Sequence, residues 1–76
     1  MSKTLFSVEV DPLGETLEIH LNRAGLLALR RALEEAERTG DVHLFSESWG
    51  GAELSDQLQN PANRLIQHMK VIVSST

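Results

Sequence analysis

Residues 22–40 have the sequence NRAGLLALRRALEEAERTG, which predicts one complete amphipathic helix. Asn22 can accept hydrogen bonds from the unpaired amides of a first turn, and Gly40 can take the left-handed conformation that ends many helices. Between these two caps, apolar residues recur at helical spacing: Leu26, Leu29, Leu33 and Ala36. We therefore predict a helix that begins after Asn22, ends at Thr39 and buries this stripe.

Two alternating segments precede the helix and predict a β-hairpin. Residues 4–10 place three apolar side chains on one face: Phe6, Val8 and Val10. Residues 16–21 alternate in the same way and place His20 on the opposite face. The sequence DPLG at residues 11–14 supplies the turn that joins the two strands.

Two further strands are predicted after the helix. Residues 42–46 would turn His43 and Phe45 away from the core, and residues 68–73 would turn His68 the same way. All three histidines of the chain would then point to one side of the sheet.

The order of these elements predicts an α+β fold in a single domain, residues 1–76. The order β-β-α-β-β corresponds to a four-stranded, mostly antiparallel sheet, with one helix packed on one face and the other face open. Strand order 2-1-3-4 keeps every neighbour antiparallel but sends His20 to an edge. Order 1-2-3-4 sets the histidine-bearing strands side by side, and the sequence leaves both orders open.

A long connection, about residues 47–67, joins the last two strands. It contains Trp49 followed by two glycines, and a short helix is predicted at residues 54–58. Connections longer than about 12–15 residues are often functional in compact domains. Trp49 fits either burial under this loop or exposure at an interface.

Composition excludes several functional classes. The chain has 76 residues, eleven acidic against seven basic, a net charge of −4 and no cysteine. An acidic chain is a poor nucleic-acid ligand and attracts basic protein partners. No segment approaches the roughly 18 apolar residues of a membrane span, and no targeting segment is visible. Without cysteine, disulfides and thiolate metal sites are absent, so we expect a cytoplasmic protein.

Patterns for catalysis and for cofactors are missing. The serines near His43 lack the Gly-x-Ser-x-Gly elbow of a nucleophile, and Gly50-Gly51 lacks the lysine of a phosphate loop. We predict no enzyme activity, no cofactor and no metal. A metal-binding protein that uses His20, His43 and His68 is a weaker alternative, since imidazole suits zinc but the spacing of the three does not help.

The run HLFSESWGGAEL at residues 43–54 resembles the Imm32 family of bacterial immunity proteins, together with LEIHL at residues 17–21 and the leucine-rich helix. The resemblance extends from the second strand to about residue 71. It implies a small cytoplasmic protein that neutralises a cognate polymorphic toxin by direct binding. It assigns no roles to individual residues.

The open face and the long loop together predict a partner-binding surface. Its residues would be His43, Phe45, Glu47, Trp49, Glu53, His20 and His68. Binding there would cover the active surface of a toxin. The negative charge of the chain favours a basic toxin, and acidic residues would accelerate the encounter. The alternative is a self-associating structural module, in which the open sheet face packs against a second copy as a homodimer.

Overall fold

The computed structural model describes residues 3–75 and confirms the α+β fold. The elements are β1 (Phe6–Val10), β2 (Leu17–Leu21), α1 (Arg23–Thr39), β3 (Asp41–Phe45), a turn of 3₁₀ helix (Glu47–Trp49), β4 (Arg64–Leu65) and β5 (His68–Ile72). Within the described residues, no helix has the length and apolar character needed to cross a membrane.

The predicted hairpin and helix are both present. β1 and β2 pair antiparallel, with Val8 opposite Ile19. The side-chain oxygen of Asn22 accepts a hydrogen bond from the amide of Gly25 at 2.8 Å, which caps the first turn of α1. The helix ends at Thr39, and the cap residue Gly40 that follows it has a φ of 100°. Both ends of this helix are therefore where the sequence predicts them.

The face of α1 that packs on the sheet differs from the predicted leucine stripe. The buried residues of the helix are all small: Gly25, Ala32 and Ala36. Leu26 and Leu33 are 45% and 48% exposed, and Leu29 is half-buried. The prediction that Leu26 and Leu33 face the core is wrong, because small residues occupy the centre of the contact and the leucines flank it.

The close approach of α1 to the first strand explains this preference for small residues. A Cβ atom added to Gly25 would lie 1.7 Å from the carbonyl oxygen of Leu5. Glycine is the residue that allows such an approach of one backbone to another. A helix held this close leaves no room for a leucine at the centre of its contact face.

The strands form two sheets, so the single four-stranded sheet is not confirmed. One sheet has the order β2-β1-β4 and the other pairs β3 with β5. A loop segment separates β1 from β3: the amide of Leu54 donates to the carbonyl of Phe45, and the amide of Ser55 donates to the carbonyl of Phe6. These backbone groups occupy the edges along which the predicted strands would have paired.

The chain from β4 to β5 links the two sheets. β4 pairs with β1, and the amide of Ile66 donates to the carbonyl of Val8 at 2.8 Å. β5 then pairs with β3, with Phe45 opposite His68. The last predicted strand is thus confirmed as β5, and β4 is an additional short strand.

The long loop contributes to the core instead of forming the predicted helix at residues 54–58. Its helical turn comes earlier, at Glu47–Trp49. Leu54 is buried and belongs to the core cluster with Phe6, Val8, Ala32 and Leu44. Part of this connection is therefore structural, while the 3₁₀ turn and residues 57–59 are exposed.

Candidate functional site

Three aromatic rings stack on the outer face of the β3–β5 sheet, the face turned away from α1. The ring centroids of Phe45 and His68 lie 4.3 Å apart, and those of His43 and His68 lie 5.2 Å apart. The ring planes in these two pairs are tilted by 10° and 15°. Nδ1 of His43 lies 3.0 Å from Nε2 of His68. We call His43, Phe45 and His68 the ring ladder.

The strand alternation places the ring ladder on this face. Val42, Leu44 and Met69 point inward and pack on the core, so their neighbours point outward. The antiparallel register sets Phe45 directly opposite His68. The outward positions that the sequence predicts for all three ring residues are therefore confirmed, and two strands far apart in the chain supply them.

Carboxylates flank the ring ladder. Oδ2 of Asp41 lies 3.6 Å from Nε2 of His43. Oε1 of Glu53 accepts a hydrogen bond from the amide of Phe45 at 3.3 Å. Glu47 is exposed two residues after the end of β3. We call Asp41, Glu47 and Glu53 the acidic rim. Lys70 lies opposite His43 on the same face, and the three carboxylates outnumber it, so the net charge favours a cationic ligand next to the rings.

Trp49 lies shortly after the end of β3 and is 59% exposed. It ends the 3₁₀ turn, whose backbone is fixed by hydrogen bonds from the amides of Trp49 and Gly51 to the carbonyl of Ser46. A Cβ atom on Gly51 would lie 2.3 Å from the carbonyl oxygen of Phe45, so glycine lets the turn fold back onto β3. Trp49 is therefore exposed and is not buried under the loop.

His20, the remaining residue of the predicted surface, lies in the other sheet. Its Nε2 atom is 2.8 Å from Oε1 of Glu18 and 3.8 Å from Oε1 of Glu9. The structure therefore brings His43, Phe45, Glu53 and His68 together, with Glu47 and Trp49 adjacent, and leaves His20 apart. The three histidines do not converge on one point. The cluster of three potential metal ligands found in residues 3–75 is Glu9, Glu18 and His20.

The sequence does not predict the role of Glu9, because a carboxylate on an outward strand position is usually hydrated. Here it is completely buried. Each oxygen accepts two hydrogen bonds. The four donors are Ser7 Oγ at 2.5 Å, the Gln59 amide at 2.7 Å, the Asn60 amide at 3.2 Å and Asn63 Nδ2 at 3.0 Å.

These bonds determine the charge of Glu9. Burial by itself raises its pKa, but the hydrogen bonds from Ser7, Gln59, Asn63 and Asn60 outweigh burial and hold the pKa at about 2. The ionised carboxylate anchors residues 59–63 over the outer face of β1. Because both oxygens already accept two bonds, Glu9 serves as a structural anchor and is a poor candidate for a metal ligand. Three of its four partners are about fifty positions away, and no local sequence signal connects them to it.

Comparisons with protein-family models, with curated proteins and with solved structures find no match. The resemblance to the Imm32 family therefore stays a prediction from the sequence.

Proposed function

We propose that this protein is an immunity protein that neutralises a basic toxin by binding it through the ring ladder, Trp49 and the acidic rim. The observation that carries the proposal is the stack of three rings on an uncovered sheet face, next to an exposed tryptophan. Aromatic residues are enriched at the centres of protein interfaces, where a few of them supply most of the binding energy.

The ring ladder favours binding because it is ordered before the partner arrives. Stacked rings held by β3 and β5 lose little side-chain freedom when a partner covers them. Trp49 is presented on a short turn whose backbone is hydrogen-bonded to Ser46. Such an arrangement lowers the entropic cost of forming the complex.

The acidic rim suits a cationic partner. Asp41 and Glu53 lie against the ring ladder, and the whole chain carries a net charge of −4. Charges at the edge of an interface accelerate association and favour the correct partner, while the apolar centre sets the affinity. A toxin whose active surface is rich in lysine and arginine would therefore be attracted and then covered.

The first test is affinity capture of the tagged protein from cells that carry it natively, with Phe45→Ala as the loss variant. Leu13→Ala is the matched control, since Leu13 is an exposed apolar residue in the β1–β2 turn and lies outside the proposed surface. We expect one basic protein to be captured by the wild type and by Leu13→Ala, and at least tenfold less of it by Phe45→Ala.

The captured protein must then be shown to be a toxin. Expressed alone it should stop bacterial growth, and co-expression of the wild type or Leu13→Ala, but not of Phe45→Ala, should restore growth. Capture that is equal for all three variants would place the contact elsewhere. A captured protein that is harmless when expressed would exclude the immunity function.

A further inference from the structure

β2 is an edge strand with a free row of backbone groups. Amides and carbonyls alternate between the two sides of a strand. The amide of Asp11 donates to the carbonyl of Thr16, and the amide of Asn22 donates to the carbonyl of Leu5, so the even-numbered residues of β2 turn their backbone toward β1. Leu17, Ile19 and Leu21 therefore present their backbone groups outward, without a partner in the described part of the chain.

The same strand exposes apolar side chains on its helix-facing side. Leu17 is 60% exposed and Ile19 is 40% exposed. Leu21 and the exposed Leu26 of α1 line one shallow groove beside it. An uncovered edge strand that carries apolar residues is a template for pairing with another strand.

We propose that β2 pairs with β2 of a second copy of this chain, antiparallel about a two-fold axis at Ile19. In this register the outward backbone groups of Ile19 bond to Ile19 of the partner subunit, and those of Leu17 bond to Leu21 of the partner subunit. Two symmetric copies use the same patch, so one strand supplies both halves of the interface.

Charge selects this register. The axis at Ile19 sets Glu18 opposite His20 of the partner subunit, twice, in non-hydrogen-bonded pairs where side chains approach most closely. An axis at Glu18 would oppose two carboxylates, and an axis at His20 would oppose two imidazoles. Within one chain His20 and Glu18 already lie 2.8 Å apart. The dimer would join the two pairs into one network of four side chains.

The proposed dimer leaves the ring ladder free, because that surface belongs to the β3–β5 sheet. The dimer is therefore independent of the proposed immunity function, and each can fail without the other. It also differs from packing of the open sheet face against a second copy, since it uses a strand edge and not a face.

Sedimentation of the full chain over a wide range of concentrations tests the dimer, with Ile19→Lys as the loss variant. Ile72→Lys is the control, because Ile72 is an exposed isoleucine on a strand of the other sheet. We expect the wild type and Ile72→Lys to reach the dimer mass, and Ile19→Lys to need at least tenfold higher concentration. Circular dichroism checks that both variants are folded. A wild type that stays monomeric, or a dimer lost only in Ile72→Lys, would overturn the proposal.

A second measurement tests the register. The chain has no cysteine, so a single introduced cysteine reports on its own symmetry mate. At the axis, the two Cα atoms of residue 19 would lie about 5.5 Å apart, within the range of about 4.4–6.8 Å that a disulfide spans. Ile19→Cys should therefore form a covalent dimer on mild oxidation, whereas Leu17→Cys should not. Cross-linking of Leu17→Cys alone would exclude the axis at Ile19.

Discussion

The two halves of the outer surface carry similar polar side chains but differ in whether a loop covers them. On β1 the carboxylate of Glu9 lies under residues 59–63, fully hydrogen-bonded and without contact with water. On β3 and β5 the rings of the ladder lie open, with carboxylates at their edge. Polar groups sealed by a loop stabilise the fold, while rings left uncovered are available to a partner. The difference comes from the loop, which covers one half only.

The largest expected effect is loss of stability in Glu9→Gln. An amide in place of the carboxylate keeps one acceptor oxygen and turns its NH₂ group toward two of the four donors, which lose their acceptor in a buried or part-buried site. Each such group costs about 1–3 kcal/mol, so we expect about 2–5 kcal/mol of lost unfolding free energy in urea denaturation. Glu53→Gln, at an exposed carboxylate, should change it by less than about 0.5 kcal/mol. Equal losses of unfolding free energy in the two variants would contradict the structural role of Glu9.

The pH dependence of stability tests the same carboxylate. The pKa of Glu9 is lowered from 4.5 to about 2, so its ionised form is favoured by folding. This contribution is complete above pH 4.5 and is lost as the pH falls from 4.5 toward 2. Urea midpoints measured over this range should fall more steeply for the wild type than for Glu9→Gln.

Asp11 is present in both proteins and does not disturb that comparison. A hydrogen bond from the amide of Thr16 lowers the pKa of Asp11. Asp11 therefore adds a similar loss of stability at low pH to the wild type and to Glu9→Gln. Parallel curves for the wild type and Glu9→Gln would mean that Glu9 titrates normally in the folded protein.

A smaller effect is expected for Phe45→Ala in the open half. Its ring is half-buried and stacks on His68, so we expect a loss of about 1–2 kcal/mol, below the 3–5 kcal/mol of a fully buried phenylalanine. The NMR signals of the imidazole of His68 should move, because the ring current of Phe45 is lost. A stability loss larger than that of Glu9→Gln would show that the ring ladder belongs to the core.

The smallest effect is expected for Trp49→Ala. An exposed side chain outside the core contributes little to folding, so the unfolding free energy should change by less than about 0.5 kcal/mol. A loss above about 2 kcal/mol would mean that Trp49 packs in the folded protein, and the binding surface would then have to exclude it.

Local patterns in the sequence predict the hairpin, the helix and the faces of the strands, because these depend on neighbours within a few positions. Asn22 and Gly40 mark the helix ends correctly for that reason. The leucine stripe misleads because two apolar stripes compete on the helix. Gly25, Ala32 and Ala36 repeat at nearly the same spacing, and a close approach to Leu5 selects them.

Contacts between distant segments are beyond such patterns. The division into two sheets depends on the bond from Leu54 to Phe45 and the bond from Ser55 to Phe6. The burial of Glu9 depends on residues 59–63. The ring ladder is predictable from the sequence only in part. Its residues and their face are predictable from alternation, whereas the pairing of Phe45 with His68 requires the register of β3 and β5.

Trp49 gives this protein a built-in optical reporter. It is the single tryptophan, and the chain has no tyrosine, so nearly all near-ultraviolet fluorescence comes from one exposed side chain beside the ring ladder. A partner that covers this surface would move Trp49 from water into an apolar environment and shift its emission to shorter wavelengths. Binding can therefore be followed on the unlabelled wild-type chain, with no dye attached and no substitution made.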